Sequence, residues 1–188
     1  MDAKTYLEIL HIAERLKDTP RHSTTSKRRT ESVAEHSWRL ALMALLLRHE
    51  FPETDIDKVI AMCVIHDLGE CFTGDIPTFL KTDSDRAHED DVLLQWLKSM
   101  PKEICSDLSR LFDEMNAQQT AEAKLYKALD KLEALIQHNE APLDTWSENE
   151  YSLNQTYAFE TVAYSDWLTN LRNEILQETL TKLDCEGK

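Results

Sequence analysis

The chain has 188 residues, a length that suits one compact domain able to bury a sizeable core. Its formal net charge of −14 argues against non-specific binding to nucleic acids, which requires a basic surface. No stretch reaches the roughly 18 apolar residues that span a bilayer, and the first residues lack the pattern of a signal peptide, so no membrane partner is expected.

Apolar residues recur at helical spacing along the chain, and there are only three glycines and five prolines. This pattern predicts an all-α fold. The first predicted helix carries one apolar stripe that we expect to be buried, formed by Tyr6, Ile9, Ala13 and Leu16. The predicted helices, with ends defined to within a few residues, cover residues 3–17, 33–50, 56–72, 85–98, 102–117, 120–139 and 153–183.

Two segments between these helices are predicted to be loops, residues 18–31 and residues 140–152. Ser32 and Glu35 form an S-x-x-E capping box, which fixes the start of the second helix directly after the first loop. Residues 17–29 contain a single acid, Asp18, and the basic residues Lys17, Arg21, Lys27, Arg28 and Arg29. Their charge either steers a small anion into a cleft or simply keeps a loop solvated.

The four cysteines are scattered and contain no CxxC pair, so neither a disulfide framework nor a zinc ribbon is indicated. This usage favours a reducing, cytoplasmic setting. There is no glycine-rich phosphate loop, because Gly69 and Gly74 flank one short segment and Gly187 lies near the end. A P-loop or Rossmann protein is therefore not expected.

The strongest chemical signal is the run IHDLGE, which follows a deeply apolar helical segment. On a helix, His66, Asp67 and Glu70 fall within an arc of about 100°, so their side chains can converge on one point. An imidazole beside a carboxylate suits Mn, Fe, Co or Zn. The alternative is that His66 and Asp67 only satisfy each other at a helix end, and an HD pair by itself is a weak signal.

Two further candidates, His36 and Asp130, lie on other predicted helices and each has a structural explanation. His36 shares a face with apolar residues, where an unpartnered ring costs about 1–3 kcal/mol, and hydrogen bonding in the core would satisfy it. Asp130 lies off the apolar stripe of its helix, and a surface ion pair with a neighbouring lysine would account for it.

A tight turn follows the HD pair in the run TGDIPT. Gly74 can end a helix and Pro77 prevents its resumption, which holds Asp75 just past Glu70. Asp75 alternatively only stabilises the turn through its own backbone. Lys81 follows on the same stretch, where it either reaches a phosphate or lies exposed to solvent.

The order H … HD … D of these residues resembles that of the HD-domain phosphohydrolases. The likeness is carried by ESVAEHSW around His36, IHDLGECFTGDIPT around His66 and KALDKLEAL around Asp130. The HDxxE…TGDxPT run and the E-H pair after a basic loop are similar to the 5′-deoxynucleotidase branch, the group of YfbR-like proteins and HD domain-containing protein 2. The likeness runs from about Leu16 to His138, most of the chain.

The resemblance implies a single helical HD domain over residues 1–188. Its metal-binding core is expected at about residues 16–138, with a C-terminal helical segment at about 153–183 packed on that core. One divalent ion, Mn, Co, Fe or Zn, would be held by four ligands, His36, His66, Asp67 and Asp130.

The resemblance also assigns roles around the ion. Glu70 and Asp75 match the acid/base and water-positioning carboxylates of the branch, and Asp67 is placed beside them among the catalytic residues. Arg21 matches a phosphate-binding arginine, and Lys81 is kept as a second substrate-binding residue. His22 departs from the pattern, since some relatives carry an aromatic or a small residue there, so the base-side wall of the pocket is left open.

The implied reaction converts deoxyribonucleoside 5′-monophosphates to deoxyribonucleosides and phosphate, and relatives lead us to expect a homodimer. One alternative is another HD-type hydrolase, acting on an alarmone, a dNTP or a cyclic nucleotide. Cys71 stands where alarmone hydrolases carry a second acid, which disfavours that group. The other alternative is a non-catalytic helical binding module, which the full set of candidate ligands disfavours.

Overall fold

The structure is a computed structural model that describes residues 1–186, without the side chain of Glu186. Gly187 and the last residue of the expected domain lie outside the described residues. The helices are α1 (Ala3–Ala13), α2 (Val33–Leu46), α3 (Ile56–Ile65), α4 (Glu70–Thr73), α5 (Asp83–Ser99), α6 (Lys102–Ala117), α7 (Ala121–Glu140), α8 (Glu148–Thr156), α9 (Phe159–Val162) and α10 (Asp166–Glu186). A hairpin of two short strands, β1 (Pro20–Thr24) and β2 (Thr30–Ser32), is the only sheet within these residues. The prediction of an all-α domain is confirmed.

Helix α7 lies at the centre of the bundle, where it packs against α2, α3, α6 and α10. Thr120 caps its first turn by accepting a hydrogen bond from the Ala123 N–H, and Pro142 follows its end. Apolar side chains recur every three or four residues along it and are almost fully buried, as a helix with 3.6 residues per turn requires. They are Leu125, Ala128, Leu129, Leu132 and Leu135. Each buried leucine stabilises the fold by about 1.5–3 kcal/mol.

The basic segment predicted as a loop forms the β1–β2 hairpin instead. The strands are too short and too polar to show the alternation that marks a strand in sequence. The tip is closed by hydrogen bonds from the Thr25 N–H to the Arg29 carbonyl and from the Arg28 N–H to the Thr25 carbonyl. The register is irregular between Pro20 and Thr24, so side chains do not simply alternate between two faces there.

Helix α3 ends earlier than the helix predicted at residues 56–72. From Leu68 to Phe72 the backbone N–H groups bond to carbonyls three residues back rather than four, so the chain tightens after Ile65. The HD pair therefore lies at a helix end, not inside a helix. Gly74 then has a φ of 74° and donates its N–H to the Glu70 carbonyl, which ends α4 as expected.

The C-terminal prediction of a loop at residues 140–152 and one helix at 153–183 is wrong. Helices α8, α9 and α10 occupy this region, and Ala158, with a φ of 73°, separates the first two. No glycine or proline marks this turn, so it was not predicted from the sequence. The fully buried Arg172 of α10 connects α10 to the end of α8 by donating hydrogen bonds to the carbonyls of Asn154 and Tyr157 at 2.8 Å.

The stripe predicted for the first helix is wrong in part. The side chain of Tyr6 is 51% exposed, while Ile9 and Ile12 pack against α5 and Leu16 is buried. The second helix ends at Leu46 and so falls short of residue 50. Large apolar side chains on α1 and α2 remain exposed, among them Leu7, Leu10, Trp38, Leu45 and Leu46. Within residues 1–186, no helix combines the length and the apolar character needed to cross a membrane.

Candidate metal centre and active-site cleft

Two imidazole rings face each other at the centre of the fold. His36 lies one turn into α2 and is fully buried, and His66 follows the last residue of α3. The capping box between Ser32 and Glu35 is present in the structure and fixes the turn that presents His36. The Nε2 atoms of the two rings are 3.3 Å apart.

The opposite nitrogen of each ring is held by an acceptor. Nδ1 of His36 contacts a carboxylate oxygen of Glu133, and Nδ1 of His66 donates to the Cys63 carbonyl at 2.9 Å. With the hydrogen on Nδ1, each Nε2 presents a lone pair to the other. Two lone pairs at this distance need a cation between or beside them, and this is the arrangement that metal-binding histidines adopt.

The charge around His36 favours a cation in the same way. Burial and Arg21 both lower the pKa of His36, but Asp130 and Glu133 outweigh them and raise it to about 9. A position that attracts a proton so strongly also suits a metal ion, which competes for the same lone pair.

Two carboxylates complete the cluster. Oδ2 of Asp67 lies 2.9 Å from Nε2 of His66, and Oδ1 of Asp130 lies 3.3 Å from Nε2 of His36. Ligand atoms of His36, His66 and Asp67 all lie within 4.8 Å of one another, a group that does not include Asp130. Lys127 holds the other oxygen of Asp130 at 2.7 Å. The donor set of two nitrogens and carboxylate oxygens fits Mn, Fe, Co or Zn.

Both carboxylates stay ionised. Burial raises the pKa of Asp67, but the two histidines outweigh it and hold that pKa well below its usual range. Lys127 and the same histidines have the corresponding effect on the pKa of Asp130. The structure therefore brings the four predicted ligands close together, with both carboxylates in the ionised state that metal binding requires.

Arg21 reaches this cluster from β1. Its Nη1 lies 3.7 Å from Oδ2 of Asp67, and its Nε lies 3.3 Å from Oε2 of the buried Glu31. Among the described residues, Nε has no partner with hydrogen-bond geometry. The guanidinium is thus held between two carboxylates beside the imidazole pair, with donors left for an anionic ligand.

Glu70 and Asp75 line the same cleft as Arg21. Burial, together with Asp67 and Asp75, raises the pKa of Glu70 to about 10, so this carboxyl carries a proton at neutral pH. No hydrogen-bond partner for Glu70 Oε2 occurs in the part of the chain that the structure describes. Burial also raises the pKa of Asp75, against the opposing effect of Arg21.

Lys81 lies in the cleft wall, as expected of a substrate-binding residue, but it has a protein partner. Its Nζ is 2.6 Å from Oε2 of Glu89, and its side chain is only 12% exposed. This ion pair neutralises much of its charge. Three cations that the sequence analysis did not single out as ligand-binding also line the cleft: Arg86, Lys127 and Lys131.

The cleft has a volume of about 490 Å³, enough for a small nucleotide. Asp67, Asp130 and Arg21 line one part of it. Away from these residues its walls come from β1, α7, α8 and the segment after α4. The side chains there include the polar or aromatic His22, Phe79, His138, Glu150 and Tyr157, together with the aliphatic Ile76, Leu135 and Leu153.

Glu133 is the main functional candidate that sequence reasoning missed. It is fully buried, contacts His36 and has Oε1 3.2 Å from Nε of Arg39. A signal was available, because Glu133 falls four residues after Leu129 and so lies within the apolar stripe of its helix. A buried acid in such a stripe needs a cationic partner.

Known proteins resemble this chain over most of its length. The model of the HD domain family matches residues 13–170. The 5′-deoxynucleotidase HDDC2 of Homo sapiens is 30% identical over 142 residues, which are 73% of this chain and 69% of that protein. The 5′-deoxynucleotidase hdd1 of Schizosaccharomyces pombe is 26% identical over 181 residues, 90% of this chain and 87% of that protein. The solved structure of a predicted metal-dependent phosphohydrolase from Magnetospirillum magnetotacticum superposes with a TM-score of 0.81 at 26% identity, and the match covers 95% of both chains.

Proposed function

Because this chain belongs to the HD domain family, we propose that it is a metal-dependent phosphohydrolase that converts deoxyribonucleoside 5′-monophosphates to deoxyribonucleosides and phosphate. The observation that carries the proposal is the pair of Nε2 atoms 3.3 Å apart, with Asp67 and Asp130 beside them and Arg21 within reach of Asp67. In this proposal, a cation site and a phosphate-binding guanidinium share one part of one cleft.

We assign the metal to His36, His66, Asp67 and Asp130. When bound there, a divalent ion acts as a Lewis acid toward a phosphoryl oxygen and lowers the pKa of water toward neutrality. The ligand set is compatible with Mn, Co, Fe or Zn. We also propose a reducing, cytoplasmic setting, which is supported by four cysteines that are free thiols within residues 1–186.

The protein's own groups supply the rest of the reaction. Arg21 binds the phosphoryl oxygens through its planar fork and orients the phosphorus toward the attacking water. Asp75 orients that water and accepts the proton that the water loses as it attacks. As the oxygen–phosphorus bond forms and the bond to the 5′-oxygen breaks, Glu70 donates its proton to the leaving oxygen. The raised pKa of Glu70 supports this role, because the carboxyl is protonated at neutral pH before the reaction begins.

The proposal is tested by phosphate release from the four deoxyribonucleoside 5′-monophosphates with Mn²⁺ or Co²⁺, before and after chelation. We expect turnover that chelation removes and that added metal restores. Ribonucleotides, nucleoside triphosphates, cyclic nucleotides and alarmones assayed in parallel separate the related hydrolases. If no metal supports phosphate release from any monophosphate, the chain is not the enzyme proposed.

Replacing Arg21 with lysine should lower kcat/KM for a nucleoside monophosphate by roughly 10- to 100-fold, because one point charge replaces a two-pronged donor. Metal content should be unchanged, since Arg21 is not a ligand. Arg28→Lys is the matched control: Arg28 lies at the tip of the same hairpin and pairs with Asp144 on the surface. An unchanged kcat/KM in the Arg21 variant would remove Arg21 from the phosphate site.

A further inference from the structure

Glu150 is a buried carboxylate in the wall of the cleft that the proposed reaction does not use. It lies in the first turn of α8, and its side chain is 2% exposed. Within the described residues, none of its contacts is with a candidate metal ligand. A charge buried in this way is costly unless it is fully partnered, so its surroundings indicate what it is for.

The two oxygens of Glu150 differ in their partners. Oε2 accepts hydrogen bonds from the backbone N–H of Ser147 at 2.6 Å and from its hydroxyl at 2.8 Å. Oε1 lies 3.0 Å from Nε2 of His138 and 3.2 Å from Nε2 of His22. Neither approach has hydrogen-bond geometry, and Oε1 has no hydrogen-bond partner among residues 1–186. The wall of the cleft therefore contains a buried carboxylate oxygen that lies between two imidazoles and accepts no hydrogen bond from the described residues.

This acceptor is charged. Burial raises the pKa of Glu150, but His138 and the Ser147 N–H outweigh burial and lower the pKa to about 2. Hydrogen bonds to ionised groups are about twice as strong as those between neutral groups. A ligand with a hydroxyl or an N–H group would gain from this oxygen, and a ligand without one would leave it unpartnered.

A polar network holds the acceptor in place. Nδ1 of His138 lies 3.0 Å from Oδ1 of Asn154, and Nδ2 of Asn154 donates to Oδ1 of Asn139 at 2.9 Å. The hydroxyl of Thr179 on α10 donates to the same Asn139 oxygen at 2.8 Å. These contacts orient the imidazole of His138 before any ligand binds.

The position of His22 shows how close Glu150 lies to the phosphate-binding end of the cleft. It follows Arg21 directly in β1, and both residues line the cleft where the strand register is irregular. Their Cα atoms are therefore about 3.8 Å apart. One side chain of this pair reaches Asp67 and the other reaches Glu150. A molecule whose phosphate contacts Arg21 thus has its next few atoms beside His22, which also packs edge-on against Phe79.

We propose that Glu150, flanked by His22 and His138, is a specificity-determining subsite that accepts a hydrogen bond from the nucleoside part of the substrate. The donor is either the 3′-hydroxyl of the deoxyribose or an N–H group of the base. This inference rests on the proposed function, and it explains how the cleft distinguishes a nucleotide from other phosphomonoesters.

The test compares Glu150→Gln with wild type on the four deoxyribonucleoside 5′-monophosphates and on phenyl phosphate, which has no nucleoside. Glutamine can keep the bonds from Ser147 while it turns the free acceptor into a donor. We expect kcat/KM for the best nucleotide to fall about 10- to 100-fold and that for phenyl phosphate to stay unchanged. Glu148→Gln, an exposed acid in the same turn, is the matched control and should behave as wild type.

Two analogues identify the donor. If the donor is the 3′-hydroxyl, the kcat/KM of wild type for a 2′,3′-dideoxynucleotide falls by the same factor. The Gln variant then uses the dideoxynucleotide and the deoxynucleotide equally well. If the donor is a base N–H, wild type has the same kcat/KM for the dideoxynucleotide as for the deoxynucleotide. Its kcat/KM for thymidylate methylated at N3 falls by that factor instead. The inference is overturned if Glu150→Gln affects nucleotides and phenyl phosphate equally, or affects neither.

Binding measurements separate failure of the subsite from failure of the proposed function. If wild type releases no phosphate from any monophosphate, the proposed function falls. Calorimetric titration with the four deoxynucleosides then decides the subsite alone. Binding to wild type that weakens at least about 10-fold in Glu150→Gln supports it; no binding, or equal binding, overturns it.

Discussion

Replacing Asp67 with alanine is expected to lower kcat/KM by roughly 1,000-fold or more while the helical fold is retained. The carboxylate lies 2.9 Å from Nε2 of His66 and 3.7 Å from Nη1 of Arg21. Its loss therefore weakens the metal site and also removes an ion-pair partner from the guanidinium of Arg21. Asp67 lies just after the end of α3, and its carboxylate pairs with His66 and Arg21 rather than with the apolar core, so we expect the bundle to form without it.

Phosphate release, metal content and far-ultraviolet circular dichroism together check this prediction. Asp57→Ala is the matched control, because Asp57 lies on the preceding helix and pairs with Arg48 at the surface. Loss of activity with loss of metal and intact helicity is the expected pattern. Retained turnover in the Asp67 variant would exclude Asp67 from the metal site.

Replacing Glu133 with alanine is expected to affect both metal binding and stability. Nδ1 of His36 and the guanidinium of Arg39 would lose a buried carboxylate partner, which costs about 3–5 kcal/mol in the free energy of unfolding. The imidazole of His36 would also lose the contact that orients it, and such contacts change metal affinity by about 10- to 100-fold.

Metal titration and denaturant unfolding measure the two effects separately. Glu133→Gln keeps the side-chain volume and one acceptor oxygen. Compared with Glu133→Ala, it should therefore regain more of the free energy of unfolding than of the metal affinity. Glu140→Gln is the control on the same helix, because Glu140 pairs with Arg39 but does not contact His36. Metal affinity equal to wild type in both Glu133 variants would show that this carboxylate does not support the site.

The parts of the fold that sequence predicted well are those specified locally. Thr120, the regular stripe of leucines and Pro142 define α7 with little help from the rest of the chain. The capping box at Ser32 likewise fixes α2, and with it the position of His36. Helix α8 and the turn at Ala158 depend on distant groups such as Arg172, which no pattern in residues 140–165 reveals.

The candidate site divides in the same way. His36, His66, Asp67 and Asp130 were singled out by residue type, spacing and resemblance, and the structure brings them together, while their roles remain predictions. Glu133 was missed although its position in the apolar stripe of α7 indicated burial. Glu150 was missed because an acid in a helix is ordinarily solvated, and only tertiary packing buries this one. A homodimer also remains a prediction.

Arg172 has a consequence for how the molecule opens. By donating to the carbonyls of Asn154 and Tyr157, it makes the end of α8 depend on α10, and Thr179 adds a second link through Asn139. The two helices therefore form one cooperative unit that unfolds together, while the metal centre stands on α2, α3 and α7. A partial opening that starts at the C-terminal helix would dismantle the wall around Glu150 and leave the phosphate end of the cleft intact.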